Sequence, residues 1–338
     1  AMPETEEERL RLDNIARERM SEHAQRVKEA EEQGETGDRG AWKWAIRERI
    51  WNYLEENDIA AFPRPVHHRI PNFVGAELTA ARIVELPEWK AAQIVKINPD
   101  TPQKPVRVAA MKEGKILLVP QPRLRTGFFS RLVGIQASKM NYAGSQAGVA
   151  ELGIPVDLDE KFKVDMVVVG SVAVNPANGG RIGKGEGFAE LEYGMLRWMG
   201  AVDDDTPVVT CIHDCQLVDD IPTEKMLRHD VPVDIIVTPT RTIRVTHKEI
   251  PKPTGIYWED LSPDKLSQIR ILQVLKARIE KEQGFALPTG RAEILPPTAM
   301  RGEKGKGKSK GKGKGGGKGY AGGKNEAAGR GRGGGKGR

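Results

Sequence analysis

The sequence predicts an α/β protein: an open, mainly parallel sheet flanked by helices, followed by a disordered basic tail. Three observations carry this expectation. Met166-Val167-Val168-Val169 is a continuous apolar run, as in a strand buried on both faces of a parallel sheet. Strand-like runs alternate with helix-like ones through short loops along most of the chain. A glycine-rich loop, Gly179 to Gly187, separates the strand-like stretch Val164 to Val174 from a helix over Phe188 to Met199, whose apolar residues recur at Phe188, Leu191, Met195 and Trp198.

The elements follow in order. Residues 3 to 33 are dense in Glu and Arg, with sparse apolar positions at Leu10, Leu12, Ile15, Met20 and Val27, and read as a solvated helix held by i,i+4 charge pairs. Gly34 to Gly40 is a linker, so residues 1–40 form a charged helical extension. Trp42 to Asn57 reads as a helix with a stripe of Ile46, Ile50, Tyr53 and Leu54. Three prolines exclude a helix from Phe62 to Pro71. Helices are expected at Glu77 to Leu86 and Val106 to Glu113, a helical turn at Pro87 to Ala92, and a glycine-containing helix at Ser138 to Glu151. Strands are expected at Gln93 to Ile97, Ile116 to Val119, Pro207 to Ile212 and Val233 to Val237. Further helices are expected near Thr223 to His229 and over Ser262 to Gln283, within a segment 261–300 that adds a helix and linker.

The charge is unevenly placed. Of a net charge of +6, residues 301–338 carry 13 Lys and Arg against two Glu, so the first 300 residues are net acidic. The tail repeats Lys-Gly and Arg-Gly with almost no apolar residue, and is expected to stay disordered because it cannot bury enough surface to offset ordering entropy. Its composition is that of basic RNA-binding segments, with Lys304, Lys306, Lys308, Lys310, Lys312, Lys314, Arg330 and Arg332 tracking phosphates. A solubilising extension is the plainer alternative.

Two cysteines exclude a disulfide framework and point to a reducing compartment, the cytoplasm. An organelle stays open, since a start at Ala1-Met2 leaves room for a transit peptide upstream. No apolar run approaches the roughly 18 residues of a membrane span. Cys211, His213 and Cys215 would share one face of an extended strand, but no second ligand cluster accompanies them, so no zinc is expected. His67-His68, between Arg64 and Arg69, reads as polar lining near a substrate cleft rather than as a metal site.

A strand, a glycine-rich loop and a helix N-terminus together form an anion site, because amides point at the anion and glycine lets the backbone approach it. Here Arg181, Gly183, Lys184, Gly185 and Gly187 supply cations and amides. The spacing is neither a Walker nor a Rossmann motif. Lys43 and Arg47 lie one turn apart on one helix face, within reach of the same phosphates; a solvated helix face is the alternative.

The stretch Arg181-Ile-Gly-Lys-Gly-Glu-Gly-Phe-Ala-Glu190 resembles the R-[LI]-G-x-G-x-G-Y-Y-D signature of 5-formyltetrahydrofolate cyclo-ligases. His229-Asp-Val-Pro-Val-Asp234-Ile-Ile-Val is similar to a late segment of that family, and Lys43-Trp-Ala-Ile-Arg47 to its N-terminal helix, so the resemblance covers residues 41–260. Phe62 to Pro71, Leu118 to Gly127 and Val168 to Val174 resemble its divergent branch, the methenyltetrahydrofolate synthetase domain-containing proteins. The resemblance implies a sheet of the kind shared with ribose-5-phosphate isomerase. It also implies an ATP- and Mg²⁺-dependent closure of 5-formyltetrahydrofolate to 5,10-methenyltetrahydrofolate, with metal positions at Glu190 and Asp234. The family's Tyr-Tyr-Asp is Phe188-Ala189-Glu190 here: Phe188 can still cover a substrate ring, Ala189 removes one, and Glu190 carries its charge on a longer stem. Two expectations follow. One is a nucleotide-binding, RNA-associated protein with weak cyclo-ligase chemistry; the alternative is an active one-carbon enzyme.

Overall fold

The computed structural model describes residues 5–35, 40–124, 127–246 and 249–299. Its strands are β1 (Ile94–Ile97), β2 (Ile116–Pro120), β3 (Phe129–Leu132), β4 (Ile154–Val156), β5 (Met166–Val169), β6 (Ala173–Val174), β7 (Arg181–Ile182), β8 (Val208–Cys211), β9 (Ile235–Val237) and β10 (Thr242–Arg244). Its helices are α1 (Glu6–Glu32), α2 (Ala41–Glu56), α3 (Ala76–Ile83), α4 (Pro87–Ala91), α5 (Lys104–Lys112), α6 (Met140–Ala143), α7 (Gln146–Leu152), α8 (Phe188–Trp198), α9 (Pro263–Ser267) and α10 (Arg270–Gln283).

The main sheet has the order β10-β9-β8-β5-β1-β2-β3-β4, parallel from β9 to β2 and antiparallel at its edges. The expected α/β class therefore holds. Strand order reverses between β1 and β5, so their carboxyl ends open the crevice where such sheets place ligands. The run Met166–Val169 is apolar throughout because both faces are covered. Val167 and Val169 face a core with Tyr193, Leu196, Trp258 and Leu272; Met166 and Val168 face one with Ile83, Trp89 and Val106. A third core joins α1, α2 and the β6–β7 hairpin through Met20, Trp44, Trp51, Val172 and Ile182.

Several expected elements are interrupted. The Val164 to Val174 stretch is two strands, broken at Gly170, where a Cβ would lie 2.6 Å from the Ile70 side chain. The Ser262 to Gln283 helix breaks at Gln268–Ile269, because extended backbone at Ile269 (φ −121°, ψ 88°) lets that fully buried side chain enter the core. Ser138 to Glu151 divides at Gly144–Ser145, with Ser145 capping α7. Thr223 to His229 is only a single turn at Thr223–Lys225, since Met226 turns extended (ψ 135°) and Asp230 takes the Leu227 N–H. The N-terminal helix is not fully solvated: Leu12, Ala16, Met20, His23, Val27 and Ala30 are buried, while Leu10 is exposed. After α10 the chain runs back across the body: Gly290 donates to Leu261 O, Ser262 to Glu293, and Ile294 packs on the third core. The tail positions Lys304 to Arg332 lie outside the described residues.

Candidate phosphate site

The site forms where the β6–β7 hairpin leads into α8, beside the crevice between β1 and β5. Arg181 is its anchor, 2% exposed. Its Nε donates to Val231 O at 3.1 Å, Nη1 to Gly170 O at 2.8 Å, and Nη2 to the Glu190 carboxylate. One guanidinium thus ties the end of β5, the segment before β9 and the first turn of α8 together. The sequence suggests a phosphate ligand at Arg181; the structure commits its donors to protein acceptors.

Lys43 and Arg47 both lie on α2 and both are buried, so a solvated face is the wrong description of them. Lys43 Nζ pairs with Asp230 Oδ2 at 2.5 Å. Arg47 differs. Its Nε donates to Gly183 O at 2.8 Å, and its guanidinium stacks 4.2 Å from the Trp44 ring centre. Among the described residues no carboxylate pairs with it, although it is 5% exposed. Burial pulls it down to about 10, with Asp230 and Glu190 opposing from a distance and Arg181 adding to the fall.

The loop is shaped by two left-handed glycines, Gly185 (φ +92°) and Gly187 (φ +70°). A Cβ on Gly185 would lie 2.7 Å from the Trp44 ring, so only glycine lets the loop close on α2 here. Gly187 is the N-cap of α8 and brings no side-chain acceptor, which leaves the amides of its first turn to another partner. Lys184 pairs with Glu186 at 2.8 Å. Lys265, from α9, donates to Glu186 O and lies 4.0 Å over the Phe188 ring centre.

The carboxylates expected to hold a metal are both engaged. Glu190 is held by Arg181. Asp234, just before β9, accepts the Val208 N–H at 2.8 Å and pairs with Lys252 at 2.7 Å. Among the described residues no group of three or more His, Cys, Asp or Glu is arranged around a metal. The described carboxylates therefore do not form a dedicated magnesium cage. The Cys211 thiol is buried and pushed up to about 12, and Cys215 to about 11; His213 Nδ1 lies 3.2 Å from Cys215 Sγ.

Four residues packed in or around the site escape the sequence reading. Asp230 is separated from Lys43 by most of the domain. Lys265 comes from beyond the segment expected to form the site. Lys96, on β1, is 1% exposed and pairs with Glu192 of α8 at 2.7 Å, with Asn98 as a second acceptor; a lone Lys inside the apolar run Ile94-Val95-Lys96-Ile97 was the available signal. His23 of α1 contacts Trp44 edge-on at 4.4 Å. Beside it His68 faces both Trp44 (6.2 Å) and Trp51 (5.6 Å), and His67 bonds Asn52 Oδ1 at 2.9 Å. Burial, with nearby positive groups, lowers His23 and His68 to about 4 and His67 to about 3.

Among the described residues no helix is long and apolar enough to cross a membrane. The profile of the 5-formyltetrahydrofolate cyclo-ligase family matches residues 39–239. Curated relatives described as methenyltetrahydrofolate synthase domain-containing protein are 50% identical in Mus musculus and 48% in Homo sapiens, over 72% and 76% of this chain. The matched segments span 66% of the mouse protein and 67% of the human one. The solved NMR structure of Aquifex aeolicus 5,10-methenyltetrahydrofolate synthetase is 20% identical, with a TM-score of 0.38, covering 60% of this chain and 93% of that one. The chain belongs to the 5-formyltetrahydrofolate cyclo-ligase family.

Proposed function

We propose that this protein binds the phosphates of a nucleotide, ATP being the family's own, at the Arg181–Gly187 loop, and that it turns over 5-formyltetrahydrofolate poorly. One observation carries the phosphate reading. Arg47 is a buried cation that stacks on Trp44 and has no carboxylate partner among the described residues, beside an α8 N-terminus without a side-chain cap. A buried, unpaired charge is costly, and an anion between these groups would relieve it. Arg47, Lys184 and the amides at Gly183, Gly185 and Gly187 would meet the phosphates, and Lys43 and Arg181 would position them through Asp230 and Glu190. A magnesium ion would arrive on the phosphates themselves, as is usual where protein carboxylates are few.

The folate half supports less. The ring face of Phe188 already carries the Lys265 ammonium, and Ala189 offers no second ring. A pterin covering Phe188 would have to displace that contact. Thermal shift tests both halves, because a ligand that binds only the native state raises the melting temperature with its concentration. ATP–Mg²⁺ is expected to do so and Arg47→Met to remove the effect while changing unliganded stability by less than about 1 kcal/mol. Formation of methenyltetrahydrofolate at a rate typical of enzymes would overturn the claim of poor turnover.

The basic tail extends the proposal to RNA. Lys304, Lys306, Lys308, Lys310, Lys312, Lys314, Arg330 and Arg332 would bind phosphates by counterion release, giving a steep salt dependence. Deleting 301–338 is expected to abolish RNA retention. Equal binding by the truncated chain would place RNA elsewhere.

A further inference from the structure

Three imidazoles stand behind the anion site, and the phosphate reading gives them no role. His68 is 6% exposed, and neither ring nitrogen has a hydrogen-bond partner. Nor does His23 Nε2, in a residue 4% exposed. His68 also holds left-handed backbone (φ +58°), a conformation costly for a residue with a Cβ. Buried nitrogens are normally satisfied, so a ring with two orphans on a strained backbone calls for an explanation.

The surroundings of His68 supply one. On α2, Arg47 stacks on the same Trp44 ring that His68 and His23 face. Arg47, and Arg19 of α1, oppose a charge on His68, as does His67 on its own loop; Glu186, in the glycine-rich loop, favours one. His23, from α1, is opposed by His68, Arg47 and Arg26. Burial first, and then the positive balance left by His67, Arg47 and Arg19 against Glu186, keeps the ring neutral. A docked polyphosphate reverses that balance, and an opposite charge at close range favours the protonated ring.

We propose that His68, backed by His23, is the charge-adjusting wall of this site, taking up one proton from solvent when a polyphosphate docks on Arg47 and the α8 N-terminus and releasing it when the ligand leaves. The proton goes onto a ring nitrogen, and no bond to the ligand forms or breaks. The inference rests on the phosphate site proposed above. Its consequence is selectivity: a multiply charged anion recruits the extra positive charge, and a monoanion recruits less.

The test uses the full chain and inorganic pyrophosphate. With six histidines in the sequence, long-range proton–nitrogen spectra of the imidazole rings report each protonation state directly. At pH 6 the ring assigned to His68 is expected to be neutral without ligand and an imidazolium at saturating pyrophosphate. His68→Asn, which suits left-handed backbone, should remove that signal and weaken pyrophosphate binding more at pH 6 than at pH 8. His23→Gln provides a second variant: it should keep the His68 signal and change its titration midpoint. Saturable binding with His68 still neutral, or an imidazolium that persists in His68→Asn, overturns this inference and leaves the phosphate site standing. Absence of pyrophosphate binding overturns both.

Discussion

Two clusters of buried charge lie within one turn of each other on α8, and they are built differently. Around Glu192 the charges balance: Lys96 sits on the carboxylate, Asn98 takes a further ammonium proton, and both ions are almost fully enclosed. Burial pushes the Glu192 carboxyl up, and the ammonium of Lys96 opposes that rise. Around Glu190 the charges do not balance. Arg181 uses that carboxylate, Lys43 uses Asp230, and Arg47 is left with a carbonyl and an indole face. A matched buried pair locks β1 to α8 and asks nothing of a ligand. An unmatched one beside a helix N-terminus without a side-chain cap is stable only at a cost that a ligand can remove. The difference separates architecture from site on a single helix.

The largest expected effect breaks the balanced cluster. Lys96→Met leaves Glu192 buried without a counterion and should cost about 3–5 kcal/mol in denaturant unfolding. Lys96→Met with Glu192→Leu should recover most of that loss, since an apolar replacement of a whole pair is often neutral. If the double variant is as unstable as the single one, the pair contributes more than charge matching.

Next comes the wall that shapes the unbalanced cluster. Gly185→Ala places a methyl at φ +92° and against the Trp44 ring, so either the loop or α2 must shift. A loss of about 1–3 kcal/mol is expected, together with loss of the ATP-induced rise in melting temperature. Retention of that rise would mean that the loop's contact with Trp44 does not shape the site.

The histidines give a smaller effect with a defined sign. His68 is lowered from 6.5 to about 4 in the folded chain. Between those values the unfolded chain binds a proton that the folded chain refuses. The contribution of this ring is therefore fully present above about pH 6.5 and is lost as pH drops through that window to about 4. At pH 5 this one ring should account for about 2 kcal/mol, seen as a shallower acid decline in His68→Asn than in the parent. Equal declines would show that His68 does not titrate between the two states.

How much of this was legible in the sequence differs between fold and site. Met166–Val169 and α8 could be read because burial on a sheet or helix imposes a local period. The breaks at Gly170 and Ile269 could not, because each serves a contact made elsewhere: Ile70 against the first, the α8-side core around the second. Helical spacing placed Lys43 and Arg47 on one face of α2. It could not say that Asp230 would neutralise one and leave the other, since that pairing joins residues far apart in the chain. Lys265 and His23 escaped for the same reason, entering from segments on either side of the core domain.

The smallest expected effect sharpens the comparison from outside α8. The family resemblance implies a metal position at Asp234, as at Glu190. Its carboxylate takes the Val208 N–H where β8 begins and pairs with Lys252, which also donates to the carbonyls of Asp204 and Thr206. All of these partners belong to the edge of the sheet where β8 and β9 start, whereas Gly170 marks the end of β5. Asp234→Asn retains an oxygen for the Val208 amide and removes the charge opposite Lys252, whose two carbonyl contacts persist. The expected cost is about 1.5 kcal/mol, the low end for a charge-assisted hydrogen bond because Lys252 keeps both carbonyl acceptors, with the ATP–Mg²⁺ melting shift unchanged. A shift lost in Asp234→Asn but kept with ATP alone would instead make this carboxylate a magnesium position, and the balanced pair with Lys252 would then be a resting contact that the metal replaces.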